Sequence, residues 1–514
     1  MARGECGSLP PSGDRPLIED ASSTSGLLLS AFAAGLCLYA PAAHLLLIAG
    51  LPLPAALLPL CFALGCAAAI LRHRAGAPAE SPRRGLPLPP APRVLQAAAL
   101  LALASLLLPA VWGALATPPR TWDGFAGWWL RARAFTPPAD LHAPFFRDPA
   151  VFAHSKTYPA LLPLLQGGLR ALSGSPEGAA LHLENLWGPL FFLALCLCVF
   201  DAGHRIAGPR TAWLATAAVA LTSAWFAPGA AAIDSGYADL PLAFALALAA
   251  SGLVTKRPPV LAAGILLLPL LKPEGLLWAF LALAALFFAK PNPARPRLRR
   301  AALLAAVLAA VLRGLLAPRL LGLPPALSLP LLASLGAFLL CHLLGSLCLD
   351  RGPRRVALAL AAAALAALAA AAFLAPELAA SGDPALQALG RGIFRLVSFG
   401  DLPDLVLGGL RSLFFFRKIG FVYLLLFLVL AFRPTDLATR PSLRAFLCLG
   451  LTASFLSVPL TAETTLSHEF VSRFGRLLLQ WSPVAWIALL PTLGTILHRG
   501  PEPRGRSGEI DAES

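Results

Sequence analysis

Four short stretches of this 514-residue chain carry side chains able to take up protons or hold anions. The first reads Trp122-Asp123-Gly124-Phe125-Ala126-Gly127-Trp128-Trp129-Leu130-Arg131-Ala132-Arg133. Aromatics and arginines at helical spacing suit a helix lying at a membrane interface, with Trp128 and Trp129 at headgroup level and Arg131 and Arg133 near lipid phosphates. An ordinary aromatic belt with snorkelling arginines explains the tryptophans equally well, but it gives no reason for Asp123. The second stretch, His154-Ser155-Lys156-Thr157-Tyr158-Pro159, opens an apolar segment. His154 is either a ligand contact or a solvated loop histidine. The third, Gly236-Tyr237-Ala238-Asp239-Leu240-Pro241, puts Asp239 at the mouth of an apolar run. An acid there is a functional candidate, or it is a helix N-terminal residue favoured by the macrodipole. The fourth, Arg476-Leu477-Leu478-Leu479-Gln480, opens the last apolar run, and Arg476 there either snorkels or binds phosphate.

The elements that must position these groups are membrane helices. The chain is 58% hydrophobic and 13% charged, against roughly a quarter charged in a soluble protein. Mean hydropathy is +0.73. Its apolar residues form solid Leu/Ala blocks long enough to span hydrocarbon as helices, whereas a β-barrel would show short alternating segments. The expected fold is all-α: a polytopic transmembrane bundle of about 12–14 spans, with interfacial helices in the first large outer loop.

Much of the net charge of +15 sits in short connectors between apolar runs, as topology signals do, so nucleic acid is not an expected partner. With the N-terminus in the cytoplasm, every basic connector falls inside and the candidate residues fall outside. Both termini are then cytoplasmic in a multi-pass protein of the plasma (bacterial inner) membrane. Of nine cysteines all but Cys6 lie in apolar runs, which leaves no disulfide framework and no zinc spacing.

Two runs, 260–271 and 275–289, are short for a span and are divided by Lys272-Pro273-Glu274. Proline ends a helix and charges deep in lipid are costly, so a tight hairpin is expected, its tip presenting Lys272 and Glu274 at the outer face. Residues 160–172 read as a short helix lying along the interface. The chain divides into a disordered cytoplasmic tail (1–25), two additional helices with a basic linker (26–94), a membrane domain (95–497) and a second disordered cytoplasmic tail (498–514).

Taken in order, these landmarks resemble the integral-membrane glycosyltransferases of the GT-C superfamily. The bacterial dolichyl-phosphate-mannose-protein mannosyltransferase-like and aminoarabinose-transferase-like proteins are the group in question. The likeness runs over about 95–497 and rests on Trp122-Asp123, Trp128 to Arg133, Tyr158-Pro159-Ala160-Leu161-Leu162-Pro163, Gly236 to Pro241, Lys272-Pro273-Glu274-Gly275 and Arg476 to Gln480.

The resemblance implies transfer of a sugar from a polyprenyl-phosphate donor to a glycan, lipid or protein acceptor on the outer face of the bilayer. It makes Asp123 the general base on the acceptor hydroxyl. Lys272, Arg476 and Arg131 become candidates to hold the donor phosphate, and Asp239, Glu274, His154 and Tyr158 candidates to contact substrate. Gly124 and Phe125 follow Asp123 where many members of the group carry a second acid, so neither a metal nor another cofactor is expected. Only the short tail follows the last apolar run, which would leave acceptor recognition to the membrane part and the outer loops. A transporter or flippase for a lipid-linked or amphipathic substrate is the alternative, and a non-catalytic scaffold a third.

Overall fold

A computed structural model describes residues 17–75, 91–117, 128–136, 158–173, 182–222, 225, 233, 238–289, 294–320, 332, 334–340, 422–432, 440–461 and 474–498. All regular structure among them is helical. Seven of these helices are long and apolar enough to cross a membrane, and three shorter apolar ones accompany them. Two further apolar stretches of the sequence, at 327–349 and 356–374, fall mostly or wholly outside the described residues.

The first helices are α1 (Leu17–Ile48), α2 (Leu57–Arg74) and α3 (Arg93–Ala116). α1 begins inside the segment expected to be disordered, because its polar first turns continue the apolar helix that follows. Two short helices come next, α4 (Leu130–Ala134) and α5 (Leu161–Ser173), then a 3-10 turn at Leu183–Leu186 and α6 (Trp187–Ala220).

α6 is not straight. Gly208 has φ +82°, a left-handed conformation open to glycine, and Pro209 restarts the helix. The rings of Phe200 and Trp213 are 4.8 Å apart, and a Cβ on Gly203 would come within 2.8 Å of the Ala212 Cα. Along a straight helix those pairs would be roughly 20 and 13 Å apart. The chain therefore doubles back at Gly208, and the two apolar runs read on either side of residues 204–210 form a hairpin.

The centre of the bundle is α7 (Asp239–Thr255), which is buried on all sides from Asp239 to Val254. α8 (Pro258–Leu271) runs back along it, and the small residues Ala245, Ala249 and Gly264 let the two backbones touch. α9 (Gly275–Ala285) turns down again through a 3-10 turn at Leu286–Phe288, and α10 (Arg295–Leu320) rises beside them. α11 (Val422–Phe432), α12 (Pro441–Thr461) and α13 (Gly475–His498) complete the described bundle.

Polar contacts separate its two ends. At one end Arg205 and Arg257 pair with Asp201, Arg440 donates to the Val254 carbonyl, and Arg295 donates to that of Phe287. At the other lie the tops of α1, α3 and α10, the start of α7, the Lys272 tip and the start of α13. The described parts of the basic connectors thus share one end, and the described candidate residues share the other.

α5 is packed into the protein. Leu161 to Gly168 are all buried, with the Tyr39 hydroxyl donating to the Leu164 carbonyl at 2.8 Å. An apolar helix with so strong a one-sided face is wedged into the bundle instead of resting on lipid.

Candidate functional site

Asp239 is the first residue of α7 and is 1% exposed. Its Oδ1 accepts from Lys272 Nζ at 2.6 Å and from Gln480 Nε2 at 2.5 Å. Its Oδ2 accepts from Arg476 Nε at 3.0 Å and Nη2 at 2.7 Å. One carboxylate therefore ties together the start of α7, the α8–α9 tip and the start of α13. Both oxygens are used twice, which is how a buried charge is kept at acceptable cost.

The tip itself follows from local chemistry. Pro269 withholds a backbone donor from the last turn of α8, and Lys272 leaves the helix in an extended conformation. Pro273 and Glu274 make the turn. Gly275 starts α9 so close to α8 that a Cβ there would fall on the Leu268 carbonyl oxygen. Lys272 Nζ also reaches Glu274 Oε1 at 3.0 Å. Burial disfavours the Lys272 ammonium, but the Asp239 and Glu274 carboxylates outweigh it and hold its pKa above the ordinary lysine value.

The tip is recessed. Arg313 Nη1 on α10 donates to the Pro273 carbonyl at 3.1 Å, so Pro273 stands level with Arg313. α10 continues to Leu320, roughly 10 Å farther at 1.5 Å per residue. Short central helices beside the longer α10 set the charged cluster below the end of α10.

At the same end of the bundle stands a second polar group around Glu184, which is buried. Trp129 Nε1 donates to Glu184 Oε1 at 2.8 Å, and His182 and Arg170 lie 3.5 and 3.9 Å from the same oxygen. The Arg133 guanidinium covers the Trp129 ring at 4.6 Å. Asn185 donates to the Ala114 and Thr117 carbonyls at 3.2 Å, pinning the end of α3 to this turn.

Several expectations change here. Arg131 does not reach lipid phosphates: it is fully buried, because α5 packs over α4 and its guanidinium donates to the Tyr158 carbonyl at 2.7 Å and weakly to that of Pro159 at 3.4 Å. It holds the turn into α5. Trp128 and Trp129 are likewise buried. Lys272, Arg476, Asp239 and Glu274 do come together, but Asp239 faces the two cations directly. Tyr158 stacks near Trp128 at 5.9 Å between ring centres and lines a small cleft with Arg313. Asp123 and His154 lie outside the described residues. Among those described, no group of three or more His, Cys, Asp or Glu is arranged to hold a metal ion.

Gln480, Glu184 and Arg313 received no role from the sequence. Gln480 stands four residues after Arg476, on the same helix face, so the spacing carried that signal. Glu184 and Arg313 each interrupt an apolar run, which by itself marks a residue for attention.

No family model matches this chain, and no curated protein matches its sequence. Among solved structures, the archaeal oligosaccharyltransferase AglB from Archaeoglobus fulgidus, in complex with an inhibitory peptide and a dolichol-phosphate, is similar with a TM-score of 0.43 and 14% identity. The match covers 76% of this chain and 50% of that one, so the chain spans about half the length of that protein.

Proposed function

We propose that this chain is a GT-C-type membrane glycosyltransferase that moves a sugar from a polyprenyl-phosphate donor to an acceptor hydroxyl, with Asp123 as general base. The observation that carries the reading is the recessed cluster. Lys272, Arg476 and Arg313 set three cations against the carboxylates of Asp239 and Glu274, an excess of one positive charge at one end of the bundle. A sugar phosphodiester carries one negative charge. The departing polyprenyl phosphate carries more, so preset cations favour the transition state over the bound donor.

In the proposed reaction Asp123 takes the proton of the acceptor hydroxyl as its oxygen forms a bond to the anomeric carbon. The bond from that carbon to the phosphate oxygen breaks, its electron pair stays on the phosphate, and Lys272 and Arg476 stabilise the charge. Asp239 fixes both cations, leaving Glu274, which is 30% exposed, as the carboxylate free to meet a sugar hydroxyl. His154 and Tyr158 contact substrate from the outer loop. The active end faces the outside, and the basic end with both termini faces the cytoplasm, as the distribution of arginines favours.

The alternative of a transporter draws on α8 and α9, two short helices broken at charged residues, a pattern found around transported substrates. Here the break lies at one end of the bundle and is locked to α7 and α13 through Asp239, which favours the enzyme.

Membranes carrying the full chain, supplied with a polyprenyl-phosphate sugar and an acceptor, provide the test. Asp123→Asn should lower transfer at least 100-fold, the usual range for losing a general base, and leave donor binding intact. Transfer near the wild-type rate would overturn the catalytic assignment. Movement of the lipid-linked sugar across proteoliposomes without transfer would favour the transporter.

A further inference from the structure

The turn at Leu183–Leu186 grips two helices that are distant from it in sequence. Toward α3, the His182 N–H donates to the Leu115 carbonyl at 2.8 Å, and the Asn185 side-chain amide donates to the Ala114 and Thr117 carbonyls, both at 3.2 Å. Toward α4, Glu184 Oε1 accepts from Trp129 Nε1 at 2.8 Å. Consecutive side chains of a 3-10 turn point about 120° apart, so neighbours in sequence can face two different helices. Glu184 and Asn185 are both 3% exposed.

Thr117 and Trp129 bracket one stretch of chain, residues 118–127 with Asp123 among them. A segment of about ten residues tied at both ends ranges over far less space than one tied at a single end. The choice of a glutamate also calls for a reason. A buried carboxylate costs stability unless donors surround it, and here Trp129, His182 at 3.5 Å and Arg170 at 3.9 Å are gathered around one oxygen. An apolar contact would fill the same space without that demand, so what the carboxylate adds is direction. It fixes the edge of the indole, while Arg133 at 4.6 Å and Arg170 at 5.8 Å cover the ring and hold its plane.

We infer that this turn is the mount of the segment carrying Asp123, with Asn185 and Glu184 as positioning residues, one at its start and the other at its end. The inference rests on the general-base reading above and adds the groups through which that carboxylate is aimed. A misplacement of about 1 Å can cost on the order of 100-fold in rate, so a loosened mount shows in kcat while KM for the donor stays.

Two variants loosen the mount without touching Asp123. Trp129→Phe deletes the N–H and keeps an aromatic ring beside its arginines, and Asn185→Leu deletes the other anchor with a side chain of the same branching. Hydrogen exchange of the full chain in nanodiscs reads the segment directly. Peptides covering 118–127 should exchange about fivefold faster or more in either variant, with peptides of α7 unchanged. Transfer is followed in host membranes, which supply the acceptor, with whichever of farnesyl phosphate mannose, glucose or arabinose the wild type consumes. Both variants should lower kcat about tenfold or more and leave KM for that farnesyl phosphate sugar within about twofold. Glu184→Leu should lose as much, and Glu184→Gln, whose amide oxygen still accepts from Trp129, should recover part of the loss. If Glu184→Gln is instead as inactive as Asp123→Asn, Glu184 is a reacting carboxylate and the positioning role is overturned. In an Asp123→Asn background Trp129→Phe should cost nothing further, and a second loss of about tenfold there also overturns it. Unchanged exchange over 118–127 in both variants overturns the inference and leaves the base reading standing. Transfer by Asp123→Asn near the wild-type rate removes the base reading, and the role of the mount goes with it. Should Trp129→Phe fail to fold, Asn185→Leu carries the same tests. If the wild type consumes none of the three sugars, the exchange result alone decides.

Discussion

Replacing Asp239 by Asn keeps the shape of the side chain and removes the single charge that holds Lys272 and Arg476 together. The amide offers one acceptor where the carboxylate served four hydrogen bonds, and its NH2 group turns toward donors. The two cations are not equally affected. Arg476 has a side chain 32% exposed and is partly solvated, so its share is roughly 1 kcal/mol or less. Lys272 has a side chain 10% exposed and loses its main partner in a buried site, where removing one member of a pair costs about 3–5 kcal/mol. The expected destabilisation is therefore about 4 kcal/mol, most of it from Lys272. Reversible unfolding in mixed micelles gives the number. Lys272→Met alone should cost less, because Arg476 and Gln480 still satisfy Asp239. The double variant should fall short of the sum of the singles by about 2 kcal/mol, the coupling expected of residues in one network. An Asp239→Asn protein within 1 kcal/mol of wild type, or strictly additive effects, would refute the account of this cluster as a buried charge network.

Gly275→Ala should destabilise the protein by about 1–3 kcal/mol, since the new methyl group meets the Leu268 backbone and α9 must move away from α8. Unfolding midpoints measure this, and an unchanged midpoint would contradict the close approach. The pH dependence carries a definite sign. Lys272 has a pKa raised by folding, so its stabilisation is complete below about pH 10, the ordinary lysine value, and is lost as pH rises through the higher folded value. Melting temperatures of wild type and Lys272→Met should therefore differ by a constant amount from pH 7 to about pH 9 and converge only in stronger alkali. Convergence near neutrality would show that Lys272 is not held charged by its neighbours.

What the sequence made legible follows from how far each signal is local. The α8–α9 hairpin could be read because proline, two charges and short apolar runs all lie within a few residues, and Lys272 and Glu274 do stand at its tip. The turn at Gly208 lies in the basic stretch His204–Arg210, a local mark of a connector even though the helices on either side almost fuse. Long-range facts were not available in that way. Nothing in Asp239 or Arg476 alone says that they meet, since 237 positions separate them and the contact exists only once α7 and α13 pack together. Arg131 was misplaced for a similar reason. Arginine beside tryptophan is the pattern of an interfacial helix, and only the burial of α5 over α4 turns the side chain inward onto carbonyl groups. The strong amphipathicity of α5 was likewise compatible with two environments, lipid surface or protein wedge, that share one apolar face.

The lengths of the central helices bear on why a lipid-linked substrate would be handled here. α7 and α8 contain 17 and 14 residues, about 25 and 21 Å of helix, against roughly 30 Å of hydrocarbon. A helix that short would be poorly matched to lipid, but α7 is walled by protein along its whole length and never meets it. Their lower ends lie beside the basic cluster at Arg257, and each helix is several ångströms shorter than that thickness. Asp239, Lys272 and Arg476 stand at the ends of these short helices, where the ion pairs and Gln480 make their burial tolerable. In the proposed reaction a polyprenyl phosphate would bring its charge to this cluster while its tail stays in the bilayer. Deepening the match of α7 to the membrane, by lengthening it one turn, would raise the cluster toward bulk water and remove the reason for burying a charge network there.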